Sequence, residues 1–144
     1  MEAPKSVMIE KKMEDELVDA CRTRFPYESC GVIYGTRQGS ALLADGFGLV
    51  ANAAAEPAAN FFFDPRDWVE IYFRAQKNQR SIVGLFHSHP NGAPLPSASD
   101  SRGFVPWETY WIVGFSAFGH DIAVYRRESA NWIRLPAGRP GPLV

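Results

Sequence analysis

Apolar positions recur every fourth residue through residues 11–25: Met13, Leu17, Cys21 and Phe25, with Val18 beside them. That period predicts an amphipathic helix, and Pro26 ends it because proline cannot continue the backbone ladder. A second helical period lies in DPRDWVEIYFRAQKNQR, where Trp68, Ile71, Tyr72 and Ala75 stand at i, i+3, i+4 and i+7. Asp64 is placed as its N-cap, Pro65 suits the first helical position, and Asp67 suits the positive end of the helix dipole. Elsewhere the pattern is short, apolar and β-branched. SVMIE reads as a short strand and SCGVIYG as a buried one; TRQGS reads as a turn. ALLADGFGLVANAA reads as a long strand whose glycines predict a bend or bulge. SIVGLFHSH is a strand that runs into a proline-rich loop, and TYWIVGFS, DIAVYRR and NWIRLP are three more strands joined by short turns. The sum is a mixed α/β domain, a central β-sheet flanked by two main helices, over residues 1–136. No repeat or linker interrupts it, and the remainder, AGRPGPLV, is expected to be a disordered tail.

Composition narrows the class without naming a function. A chain of 144 residues fits one domain and buries enough surface to fold without disulfide staples. Its net charge is −1, and its most basic run, AQKNQR, reads as the polar end of a helix, so no nucleic-acid-binding surface is expected. Two cysteines are too few for a secreted disulfide framework, the N-terminus lacks a signal-peptide core, and no apolar run approaches the ~20 residues of a membrane span. The expected compartment is the cytoplasm.

One stretch carries candidate chemistry: FHSHPNGAPLPSASD, residues 86–100. Side chains alternate across a strand, so His87 and His89 share a face and Ser88 takes the other. Pro90 ends the ladder and turns the chain, and Asp100 can return as a third ligand. Two histidines and a carboxylate, with a fourth position open, are the donor set of a catalytic zinc site rather than a closed structural one. Yet H-x-H with a loop aspartate also arises where nothing binds. Ser97 to Asp100 has the S-x-x-D form of a helix N-cap, which a short helix over residues 98–104 would satisfy with no metal.

A zinc hydrolase also needs a carboxylate to take a proton from water. Glu28, Glu56 and Glu70 are the candidates. Glu70 falls on a solvated helix face and Glu56 in an alanine-rich loop. Glu28 stands at the mouth of a buried strand, which favours it only slightly.

Together these segments resemble the JAMM (MPN+) metalloproteases of stand-alone prokaryotic type. The signature is H-x-H-P, about ten residues, then an aspartate with a serine three positions before it. His87, His89, Pro90, Ser97 and Asp100 stand at that spacing, and PYESCGVIYG is similar to the family's upstream glutamate segment, with Glu28 at the matching position. The likeness covers residues 7–135. It implies a three-layer domain like that of the cytidine deaminases. One Zn²⁺ would be held by His87, His89 and Asp100. Glu28 would act as base and then as acid to the leaving amine, with Ser97 helping to hold the oxyanion. It further implies hydrolysis, by zinc-activated water, of the peptide or isopeptide bond after the C-terminal glycine of a ubiquitin-like protein. In compact members of this kind the partner is a sulfur carrier with a Gly-Gly tail, cleaved by adduct release or precursor trimming. Such a tail would enter as an extended strand beside a sheet edge.

The remaining chemistry-bearing residues have plainer readings. Cys30, two residues after Glu28, is a small buried strand residue before it is a thiol switch, since unpaired Cys is among the most buried types. Cys21 belongs to the core, and His120, in an FGHD turn, is expected exposed and not a ligand. Trp68, Trp111 and Trp132 read as core, and Trp107 as core or as cleft lining. Two other functions fit the same chain: a non-catalytic scaffold of the MPN type, and a zinc amidohydrolase acting on a small metabolite.

Overall fold

The structure is a computed structural model and describes residues 3–98, 100 and 106–141. Its strands and helices follow the predicted order: β1 (Ser6–Ile9), α1 (Lys11–Arg22), β2 (Cys30–Gln38), β3 (Ala41–Val50), α2 (Pro65–Lys77), β4 (Ser81–His89), β5 (Tyr110–Ser116), β6 (Gly119–Glu128), β7 (Asn131–Leu135) and β8 (Ala137–Gly138). Among the described residues these strands make one mixed sheet in the order β7-β6-β5-β4-β2-β3-β1-β8. β4 and β5 run parallel, so their C-terminal ends lie side by side, next to the N-terminal end of antiparallel β2.

Alternation along the strands builds two apolar layers. Ile33, Val83, Phe86, Trp111 and Val113 pack with Met13, Leu17, Val18 and Cys21 of α1. Val32, Tyr34 and Leu85 pack on the other side with Ile71 and Ala75 of α2, and Trp68 and Trp107 extend that cluster. The sheet is thus sandwiched between the two helices, as the periodicities imply. The α2 start is as read from the sequence: the Asp64 side chain accepts from the N–H groups of Arg66 and Asp67, with Pro65 in the first turn. The bulge expected in β3 falls at Asp45, skipped where the register shifts between Tyr34 and Gly35.

Four boundaries differ from expectation. The strand read through residues 41–54 ends at Val50, and residues 51–54 enter a loop tied across itself by an isolated bridge, Asn52 to Phe63. TRQGS is not all turn: Thr36, Arg37 and Gln38 continue β2, paired with Leu43, Leu42 and Ala41. The reversal is compressed into Gly39 and Ser40, where Gly39 takes φ 64°, a conformation suited to glycine. Helix α1 stops at Arg22, and the Thr23 hydroxyl donates to Ala20 O. Phe25 lies beyond it, 42% exposed, its ring edge-on to Phe115. The tail expected to be disordered begins with structure. Ala137 and Gly138 pair with Val7 and Met8, and Arg139 Nη1 donates to Ile9 O and Glu14 Oε1, both at 3.0 Å. The open edge of β1 supplies the ladder partners that composition could not foretell. Residues 142–144 lie outside the described residues. No helix among the described residues is long and apolar enough to cross a membrane.

Candidate metal centre

His87 and His89 are the last inward-facing residues of β4, on the same face as Leu85. Ser88, fully buried, points to the α1 side. Pro90 ends the strand and the chain loops over the strand end. Gly114 on β5 allows close approach here: a Cβ would stand 2.7 Å from both Gly92 O and Pro94 N. The loop returns at Asp100, which is 7% exposed. The Asp100 carboxylate receives the Ser97 N–H on Oδ2 at 2.7 Å, and the Asp100 N–H donates to Ser97 Oγ at 3.2 Å. This reciprocal pair is the N-terminal device read in S-x-x-D. Ala98 and Asp100 are helical; Ser99 and residues 101–105 of the expected helix lie outside the described residues.

The side chains converge. His87 Nε2 and His89 Nε2 are 3.1 Å apart. Asp100 Oδ1 is 3.1 Å from His87 Nε2, and Oδ2 is 3.5 Å from His89 Nε2. Four-coordinate binding with bonds of about 2.0–2.1 Å gives donor separations of roughly 3.3 Å, so the three groups fit one tetrahedral ion. His89 Nδ1–H donates to Ala93 O at 2.8 Å. That bond orients the ring and leaves the Nε2 lone pair of a neutral imidazole directed at the other two donors. Two imidazoles and a carboxylate facing one another at these distances are a donor set that a single cation can bridge.

Burial holds His87 below the ordinary imidazole range, against the pull of Asp100. Burial works the same way on His89, but its bonds to Asp100 and Ala93 outweigh it and raise that ring. The Asp100 carboxyl is raised by burial and lowered more by both imidazoles, so it stays ionised. Glu28 enters from the N-terminal side of β2. It is 7% exposed, and its carboxylate forms a group with the two imidazoles whose donor atoms all lie within 4.8 Å of one another. Burial raises its pKa to about 7; His89 opposes the shift and Asp100 adds to it.

The structure therefore brings together Glu28, His87, His89 and Asp100, with Ser97 beside Asp100. It leaves the other carboxylates out: Glu56 is exposed, and Glu70 is exposed and bonded to Arg74. Trp107 does not turn to the cluster; its ring packs on Trp68 and donates to Ile82 O. His120 lies on β6 rather than in a turn, with Nε2 3.3 Å from Glu14 Oε2. Cys21 and Cys30 are both fully buried. Two residues of the loop between β3 and α2 were missed by sequence reasoning. Phe61 stacks on the His87 ring, centroids 4.3 Å apart and planes 16° apart. Asn52 bonds the backbone of Glu28. The three consecutive aromatics of NFFFDP, directly before a helix cap, are the signal that could have drawn attention to this loop.

Fold and site together define a mixed α/β domain in which His87, His89 and Asp100 converge beside the buried Glu28, a set of side chains compatible with a metal ion. The profile of the prokaryotic homologs of the JAB domain matches residues 10–131, and the chain belongs to that family. It is 36% identical over 85 residues to a desampylase of Haloferax volcanii, covering 59% of each chain. It is 29% identical over 86 residues to a desampylase of Pyrococcus furiosus, covering 60% of this chain and 58% of that protein. The chain thus spans under two thirds of the length of both desampylases. A Thermus thermophilus protein named "Probable TtuB-protein conjugate cleaving protease" is 25% identical over 119 residues, 83% of this chain and 69% of that one. Among solved structures, a protein from Desulfitobacterium hafniense superposes with a TM-score of 0.81 at 26% identity, over 95% of this chain and 94% of that one. A protein from Salinibacter ruber has the same fold, with a TM-score of 0.70 at 22% identity over 94% and 92%.

Proposed function

We propose that this chain is a zinc-dependent peptidase or isopeptidase. It hydrolyses the bond after the C-terminal glycine of a ubiquitin-like protein, a small sulfur carrier ending in Gly-Gly and acting in the cytoplasm. The observation that carries the reading is the convergence of His87, His89 and Asp100 on one point with a buried Glu28 carboxyl alongside. The relatives named desampylase and probable TtuB-protein conjugate cleaving protease support it.

His87, His89 and Asp100 would hold the zinc, which supplies Lewis-acid polarisation of the scissile carbonyl and water activation near neutral pH. Glu28 has two tasks. Its carboxylate accepts a proton from the attacking water, and the resulting acid protonates the leaving amine. A carboxyl held near neutrality by burial serves both directions. The Ser97 hydroxyl, which accepts the Asp100 N–H, is the group assigned to help hold the developing oxyanion. A scaffold that only binds partners has no use for a carboxyl buried beside two imidazoles.

The test is incubation with a sulfur carrier bearing a C-terminal extension, and with a carrier–lysine adduct, followed by mass spectrometry. Loss of the mass beyond the second glycine, with Glu28→Gln inactive but still holding one zinc per chain, is the expected result. Protein that takes up no zinc, or cleaves simple amides in preference to either carrier substrate, overturns it.

A further inference from the structure

Asn52 follows β3 in a loop, residues 51–64, whose first four residues the sequence pattern assigns to the strand. Its side-chain amide is fully used. Nδ2 donates to Glu28 O and to Asn60 O, each at 3.0 Å, and stands 3.5 Å from Pro57 O. Oδ1 accepts the N–H of Ala54 at 3.0 Å and of Phe62 at 3.1 Å. The partners fix the orientation of the amide, because a flipped group would set oxygen against three carbonyls and nitrogen against two N–H donors. The loop is wound around this one side chain.

The same loop touches the metal centre twice. The Glu28 N–H donates to Pro57 O at 2.8 Å, and Phe61 covers the His87 ring. On its other side the strand end is tied to the histidine strand. The Ser29 N–H donates to Ser88 Oγ at 2.8 Å, and the Ser88 N–H donates to Ser29 O at 2.9 Å. Glu28 is therefore held between two clamps, one from β4 and one from the loop, and the loop clamp depends on Asn52 directly and through Pro57.

We propose that Asn52 is a positioning residue that sets the backbone of Glu28, and with it the carboxylate, against the metal centre. This inference rests on the reading of Glu28 as the proton acceptor. Reacting groups displaced by about 1 Å lose roughly 10²-fold in rate, whereas substrate binding outside the reacting centre is not touched.

Asn52→Asp tests the bonds without changing side-chain volume, because it keeps the Oδ1 acceptor and replaces the Nδ2 donor by an oxygen facing carbonyls. On a carrier adduct, kcat is expected to fall about 10–100-fold with KM within about threefold. Zinc content stays at one per chain. Full kcat in Asn52→Asp overturns the proposal. A second readout needs neither turnover nor metal: hydrogen exchange of the Glu28 N–H, which donates to Pro57 O. It is expected to be protected in the wild-type chain and to exchange at least about tenfold faster in Asn52→Asp. An unprotected N–H in the wild type, or unchanged exchange in the variant, refutes the inference whatever the activity. A wild-type chain that cleaves no carrier adduct overturns the functional reading alone.

Discussion

The Ser97 hydroxyl and the Asp100 N–H are 3.2 Å apart, and the Ser97 N–H reaches back to Asp100 Oδ2 at 2.7 Å. One residue therefore aims the carboxylate that faces both imidazoles. Ser97→Ala keeps the backbone half of the pair and loses the hydroxyl half. Loss of such a cap costs about 1 kcal/mol of stability, and a loosened ligand costs about 10-fold or more in metal affinity. Chelator competition is expected to read that drop. At saturating zinc, kcat should remain about 10²-fold low if the hydroxyl also donates to the oxyanion. A variant restored to wild-type kcat by zinc alone confines Ser97 to the cap.

Glu28 predicts a pH dependence in the metal-free protein. Burial raises its folded carboxyl to about 7 from an ordinary 4.5. Between those values the folded chain keeps a proton that the unfolded chain has released. The folded state is thus favoured at the acid end, and that contribution disappears as pH rises through about 7. Glu28→Gln stays neutral throughout. Urea titrations with chelator present are expected to show wild type losing stability relative to Glu28→Gln between pH 5 and pH 8. Parallel curves would place the carboxyl in solvent. With zinc bound the cation favours the carboxylate, so kcat/KM should rise with pH along a limb at or below about 7 that Glu28→Gln lacks.

The sequence made some of this legible and not the rest, for physical reasons. The helices follow from local period and caps: Ile71 and Ala75 face the sheet because they stand one turn apart after Asp64 and Pro65. His87 and His89 share a face because strands alternate. Asp100 as their third partner was only one reading of S-x-x-D, since capping explains the same residues. The choice of Glu28 over Glu56 and Glu70 came from family likeness, because burial of a carboxylate is decided by what folds over it. Thr36–Gln38 entered β2, and Ala137–Gly138 joined the edge, through pairing with residues distant in sequence. Asn52 falls within the strand pattern read through residue 54; its five contacts exist only once the loop closes.

Gly114 tests how far the loop after His89 supports the metal centre. An added Cβ meets Gly92 O and Pro94 N at 2.7 Å, and both are backbone atoms that cannot rotate away. Residues 91–94 must shift, and Ala93, whose carbonyl orients His89, shifts with them. Gly114→Ala is expected to cost about 1–3 kcal/mol in denaturant titrations, as overpacking does. Zinc affinity should fall about 10–100-fold because the bond that orients a ligand is disturbed. Unchanged affinity in a destabilised variant would show that the loop can move without the His89 ring.

Cys30 lies two positions from Glu28, close enough to raise the question of a thiol switch, and its surroundings answer it. The thiol is fully buried, Sγ donates to Val50 O at 3.4 Å, and burial pushes its pKa up to about 12. Cys21, equally buried, is pushed up to about 11. The reactive species is the thiolate, and at pH 7 its share in such groups is on the order of 10⁻⁴ or less. A disulfide-exchange reagent is therefore expected to modify neither thiol in the native protein over the time in which it titrates both in denaturant. Hydrolysis should survive the treatment unchanged. Rapid native modification of Cys30 with parallel loss of activity would instead make this strand the route by which oxidation reaches Glu28.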